Sequence, residues 1–250
     1  MSRTLSLLFA IVCYAIFFGT FLYLIAFVGD FQIGSISPRT VDNSASTMTL
    51  AGAAITDLAL IALFGLQHSV MARPGFKRAW TRTIPAHVER SMYVLLSSLA
   101  LIIMFRFWQP IDSTVWSVSN PVAADILWVL FWLGWGLVLV STFLINHFEL
   151  FGLQQAWFHM RGRAEGTAPE LREPSLYRFV RHPMMLGFFF AFWATPDMTA
   201  GHLLLALGLS AYILIALHYE ERDLVSVFGA DYEAYRGRVG MLIPRFRSRA

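Results

Sequence analysis

Hydrophobic residues dominate the chain in long uninterrupted stretches, and the polar residues gather between them. Residues 5–28 carry no charge. Residues 47–70 are broken only by Asp57, and residues 91–105 end at Arg106-Phe107-Trp108, an aromatic and basic edge suited to a membrane interface. Residues 126–146 form a fourth apolar run with Trp128, Trp132 and Trp135 at helical spacing. Runs of about 20 apolar residues are long enough to cross a bilayer as helices. Two shorter runs follow, 184–194 and 202–217, separated by Thr195-Pro196-Asp197 and Gly201, which is turn chemistry. At about 1.5 Å per residue the first of these falls well short of the ~30 Å hydrocarbon core. The pattern predicts an all-α polytopic transmembrane helical bundle, with four full spans and a C-terminal helical hairpin.

Composition agrees with this picture. The 250 residues are 57% hydrophobic and 14% charged, against about 25% charged in soluble domains. The first run is longer than a signal-peptide core and no small-residue cleavage motif follows it, so it is expected to stay as an anchor. The single cysteine, Cys13, lies within that run, so neither an internal disulfide nor a cysteine metal site is expected. The net charge of +3 gives no reason to expect nucleic acid. Of the 19 basic residues all but Arg39 and Arg106 fall before span one, between spans two and three, between span four and the hairpin, or in the tail. The positive-inside rule then places both termini in the cytoplasm. One membrane-embedded domain, 1–250, is expected, with a four-span part (1–146) and a loop, hairpin and tail (147–250).

Several unusual polar residues fall near the basic end of the predicted helices: His68, Asn146-His147 and Glu149, Arg181-His182, and His218, Glu220 and Glu221. Ionisable groups near membrane depth are costly, which makes a cluster of them a candidate site. Asp57 lies deeper. It is eleven residues from His68, which at ~100° per residue returns to nearly the same helix face, so the two can line one cavity wall or Asp57 can bond a neighbouring helix.

The residues Arg181-His182-Pro183, Gly187, Glu220-Glu221 and the tail Leu224, Phe228-Gly229, Tyr232, Tyr235 and Pro244 resemble the isoprenylcysteine carboxyl methyltransferase superfamily of integral membrane methyltransferases. Gln67-His68-Ser69-Val70-Met71-Ala72-Arg73-Pro74, Glu89-Arg90-Ser91 and the segment from Asn146 through Gln154 resemble, more narrowly, the bacterial methanethiol S-methyltransferases. Many superfamily members have Tyr two residues after the Pro, where this chain has Met185.

The resemblance implies S-adenosyl-L-methionine as methyl donor, a small volatile thiol as acceptor and dimethyl sulfide as product, in a multi-pass protein of the inner membrane whose site opens to the cytoplasm. A lipid amine, a carboxylate or a larger thiol are the alternative acceptors. A non-catalytic protein linked to nitrogen-oxide metabolism is the alternative class. Gln154, Tyr177, Arg181, His182, Pro183, Gly187, Glu220, Glu221 and Tyr232 are the expected cofactor-binding residues. Acids suit the ammonium, arginine the carboxylate, and aromatic rings the adenine and sulfonium. Adjacent glutamates diverge by ~100° on a helix, so one can face the cofactor while the other pairs with Arg178 or Arg222. Pro183 suits the first turn of a helix. A thiol must lose its proton to become a good nucleophile, and His68 and His147, with Asp57 behind, are the expected bases.

Overall fold

The computed structural model describes residues 2–44, 46, 48–163 and 171–245. Five helices are long and apolar enough to cross a membrane: α1 (Arg3–Val28), α2 (Leu50–Ala72), α4 (Ala86–Phe107), α5 (Pro121–Ile145) and α9 (Ala200–Phe228). Between and after them lie α3 (Pro74–Trp80), the strand β1 (Thr114–Ser117), α6 (His147–Leu150), α7 (Leu153–Arg161), α8 (Pro183–Trp193), the strand β2 (Asp197–Thr199) and α10 (Ala230–Arg238).

Local chemistry sets the helix starts. Ser2, Thr49 and Asn120 accept a hydrogen bond from the backbone N–H three residues on, and so cap α1, α2 and α5. Asn120 with Pro121 at the first helical position starts α5 five residues before the apolar run does. The largest departure from the sequence pattern is α9. Its apolar run stops at Leu217, yet the helix continues to Phe228. Leu217, Glu221, Leu224 and Phe228 keep the helical spacing through the charged stretch, and all four are buried or half-buried. The hairpin arms are therefore unequal, a short α8 and a full-length α9, and Glu220 and Glu221 lie inside a helix rather than at its exit.

The chain groups into two compact units that interleave along the sequence rather than dividing at residue 146. The first comprises 1–118, 148–166 and 196–209. In it α4 packs against α1 and α2, and α7 against α1 and α4. β1 and β2 form a two-stranded antiparallel ladder, Trp116 opposite Met198, in the segment read as a turn. The second comprises 119–147, 167–195 and 210–250. Its main packing is α5 on α8, where Gly134 and Gly187 face each other: a Cβ on Gly187 would come within 2.6 Å of the Gly134 carbonyl oxygen, and one on Gly134 within 2.7 Å of the Gly187 carbonyl oxygen. Small residues at this crossing let the two backbones approach.

Candidate active site

In the second unit the expected Arg-His-Pro segment is held by its backbone before its side chains act. The N–H of Arg181 donates to the carbonyl of Gly240 (2.9 Å) and that of His182 to the carbonyl of Met241 (3.1 Å), beside a parallel bridge between Val180 and Gly240. Pro183 then opens α8 as its first residue, as expected. This fixes the side chains of Arg181 and His182 toward α9, where they meet Glu221.

Glu221 is the hub. Arg181 reaches it with two parallel bonds, Nε to Oε1 (2.7 Å) and Nη2 to Oε2 (2.9 Å). His182 Nε2 lies 2.8 Å from Oε1, the Tyr232 hydroxyl donates to Oε1 (3.1 Å), and Arg236 Nε lies 3.1 Å from Oε2. Arg181 Nη1 also donates to the carbonyls of Val239 and Arg236. Only 6% of Glu221 is exposed. A buried carboxylate is tolerable when cations and hydrogen bonds surround it, and this one has both. The pairing corrects one expectation: neither Arg178 nor Arg222 holds the buried glutamate. Arg181 and Arg236 do, and Arg178 Nε donates instead to the carbonyl of Glu173 (3.3 Å).

The glutamates diverge as helix geometry requires, with Glu221 buried and Glu220 exposed. Burial, then the charge of Glu220 and the neighbouring Tyr235, holds the phenol of Tyr177 above its ordinary range. Tyr232 and Tyr235 are buried with Val239 against Leu171, Leu224, Val225 and Phe228, and the Tyr235 hydroxyl donates to the carbonyl of Tyr177 (2.6 Å). The Tyr232 ring therefore belongs to the packed base of the cluster. Gly187 faces Gly134 of α5, which accounts for its missing side chain by helix packing.

His147 lies in the same unit. It is buried, its ring stacks on Phe143 (centroids 4.1 Å apart, 4° between planes), and its Nδ1 lies 2.8 Å from the Thr142 hydroxyl oxygen. That hydroxyl has one proton and gives it to the Leu139 carbonyl (2.7 Å). A hydroxyl that donates there accepts from the imidazole, the arrangement in which the ring proton sits on Nδ1. Burial lowers the pKa of His147, so the ring is neutral at neutral pH.

The first unit holds the remaining candidates. His68 has both ring nitrogens engaged: Nδ1 with the Ser97 hydroxyl (3.0 Å) and Nε2 with the Tyr93 hydroxyl (2.8 Å). The Arg90 guanidinium sits 5.0 Å above the Tyr93 ring. Asp57 does not join His68. Eleven residues of helix separate them by about 16 Å, and Asp57 Oδ1 accepts the backbone N–H of Gln109 (2.9 Å), just past the end of α4. Gln154 stands in the first turn of α7, after Gly152, whose φ of +87° and tight contact with Ser91 admit no side chain. Arg90 Nε donates to the carbonyl of Leu150 (2.7 Å). The Glu89-Arg90-Ser91 motif thus clasps the 150–152 turn, two stretches the sequence singled out separately.

Four groups escaped the sequence reading: Ser97, Tyr93, Thr142 and Arg236. Tyr93 and Ser97 carried a usable signal, since polar residues four apart in an apolar run share one helix face. Arg236 carried none, because only the fold of the tail onto α9 brings it to Glu221.

Apolar spans with a buried Arg–His–Glu–Tyr cluster at the end of one of them define a multi-pass helical membrane protein with a polar site in its C-terminal region. The family model described as NnrU protein matches residues 58–239, and the chain belongs to this family. It is 49% identical over 244 residues (98% of each chain) to the methanethiol S-methyltransferase of Mycobacterium tuberculosis. It is 51% identical over 248 residues, 99% of this chain and 93% of the other, to methanethiol S-methyltransferase 2 of Bradyrhizobium diazoefficiens. It is 49% identical over 240 residues, 96% and 90%, to the methanethiol S-methyltransferase of a Pseudomonas species. No solved structure matches the chain.

Proposed function

We propose that the protein is a membrane thiol S-methyltransferase that converts methanethiol to dimethyl sulfide. The observation that carries this reading is about 50% identity across nearly the whole chain to proteins of that name, so that both compact units are covered. The methyl donor is S-adenosyl-L-methionine, which when bound supplies a methyl group on a positively charged sulfur. The basic loops and tail lie on the cytoplasmic side of the inner membrane, both termini with them, and the site opens there.

The residues fit such a cofactor at the rim of the cluster rather than at its centre. Arg181 and Glu221 already satisfy each other, so with His182, Pro183 and Tyr232 they build the wall. Glu220 is exposed, as is the ring of Phe179, and Tyr177 is half-buried. Glu220 would hold the ammonium, and the two rings the adenine and the sulfonium. Gly187 contributes by letting α8 seat on α5.

The thiol proton needs an acceptor. His147 is the preferred base, because it is a buried, neutral imidazole in the same unit as the Arg181–Glu221 cluster, and His68, in the other unit, is the alternative. The apolar surroundings favour a step in which a thiolate and a sulfonium lose their charges together.

Membranes containing the protein, incubated with S-adenosyl-L-methionine and methanethiol, should release dimethyl sulfide into the headspace, measured by gas chromatography. Cofactor binding without dimethyl sulfide would discard methanethiol as the acceptor. Absence of cofactor binding would discard the methyltransferase reading itself.

A further inference from the structure

The short helix α3 has two unlike faces. Phe76 and Trp80, one turn apart, stack on each other (centroids 5.5 Å) and pack against Met71, Tyr93 and Val94. Away from them, Lys77, Arg78 and, just after the helix, Arg82 are all exposed. Lys77 is neutralised by the buried Glu89 at 3.3 Å. Arg78 and Arg82 lie four residues apart, and among the described residues no ion pair engages either. The segment cannot neutralise itself, since no Asp or Glu occurs between Asp57 and Glu89.

Connectivity fixes the depth of this face. Arg73 alone separates α3 from α2, and residues 81–85 join it to α4. Both neighbours are long and apolar enough to cross the membrane, so α3 is held at the boundary between hydrocarbon and water. Its aromatic face is already covered by protein, which leaves the cations to meet the headgroups.

We propose that Arg78 and Arg82 form a docking face for the phosphate of anionic phospholipids of the surrounding bilayer. A guanidinium matches phosphate with two parallel hydrogen bonds. Basic residues at the end of a span gain from an anionic leaflet. Two exposed arginines, one in α3 and one just after it, offer far less than the ~800 Å² per partner of a stable protein interface, which favours a lipid over a macromolecule. The inference is independent of the catalytic reading.

The test uses the full chain in phosphatidylcholine nanodiscs doped with phosphatidylglycerol. A photoactivatable phosphatidylglycerol or phosphatidylcholine is added as probe, and cross-linked peptides are mapped by mass spectrometry. The phosphatidylglycerol probe should label the 73–90 region well above the phosphatidylcholine probe. Arg78→Gln with Arg82→Gln should remove that excess, roughly fivefold for each arginine, while Arg78→Lys with Arg82→Lys retains most of it. High salt should lower the excess as well. Equal labelling by the two probes, or an excess unchanged in a normally folded Gln variant, would overturn the proposal.

Discussion

The two units solve one problem in different ways: each carries a polar cluster within apolar helices. In the first unit the cluster is built on hydroxyls, as His68 bonds those of Ser97 and Tyr93. In the second it is built on charge, as Glu221 is gripped by Arg181 and Arg236 and bonded by His182 and Tyr232. The same contrast separates the deep acids. Asp57 is fully buried and holds one backbone N–H, and its Oδ2 has no partner among the described residues. Glu221 uses both oxygens. A hydroxyl–imidazole cluster fixes orientation at little electrostatic cost, whereas a buried ion pair ties distant segments together and collapses when one partner is removed. The charged cluster accordingly joins three pieces of chain: the Arg-His-Pro segment, α9 and the tail.

The contrast between the imidazoles is open to the largest effect. His147→Ala should lower kcat about 10²- to 10⁴-fold, the usual range for a positioned base, with partial recovery at high pH as the thiol ionises unaided. A comparable loss in His68→Ala, with His147→Ala nearly normal, would exchange their roles. The folded state disfavours charging His147, so its contribution to stability is present above about pH 6.5 and is lost as pH falls below that value. Unfolding measured from pH 8 to pH 5 should show a slope that His147→Gln reduces.

Breaking the charged hub comes next. Glu221→Gln leaves Arg181 buried without its anion and should cost about 3–5 kcal/mol, seen as a large drop in Tm of the purified protein in detergent. An unchanged Tm would show that the hub does not hold the tail.

Glu220→Gln separates the hub from its rim. Stability should change by no more than about 0.5 kcal/mol. The KM for S-adenosyl-L-methionine should rise about 10- to 100-fold, the equivalent of one charged hydrogen bond of about 1.5–3 kcal/mol. An unaltered KM would take the ammonium site away from Glu220.

The smallest effect is expected at Asp57. Asn keeps an acceptor for the Gln109 N–H, so Asp57→Asn should shift stability by only about 1 kcal/mol. A loss as large as that of Glu221→Gln would erase the distinction between the two acids.

The spans, the Pro183 helix start and the motif residues were legible because they depend on local pattern: apolar length, capping chemistry and helical spacing. The unequal hairpin was not legible from hydropathy, since charge ends an apolar run without ending a helix. The periodicity of Leu217, Glu221, Leu224 and Phe228 did carry that information. The pairing of Gly134 with Gly187 was not legible either, because nothing near either glycine in sequence says which helix will cross it.

By itself, the amino-acid sequence determined that this is a helical membrane protein, which residues are candidates for its chemistry and which family it resembles. These follow from transfer energies and side-chain types, which are properties of single residues and short segments. Only the tertiary structure decided that Arg181 spends its charge on Glu221, that Arg236 completes the hub, and that Asp57 anchors a loop away from His68. Each of these depends on distances of about 3 Å between groups far apart in the chain, which a linear pattern does not encode.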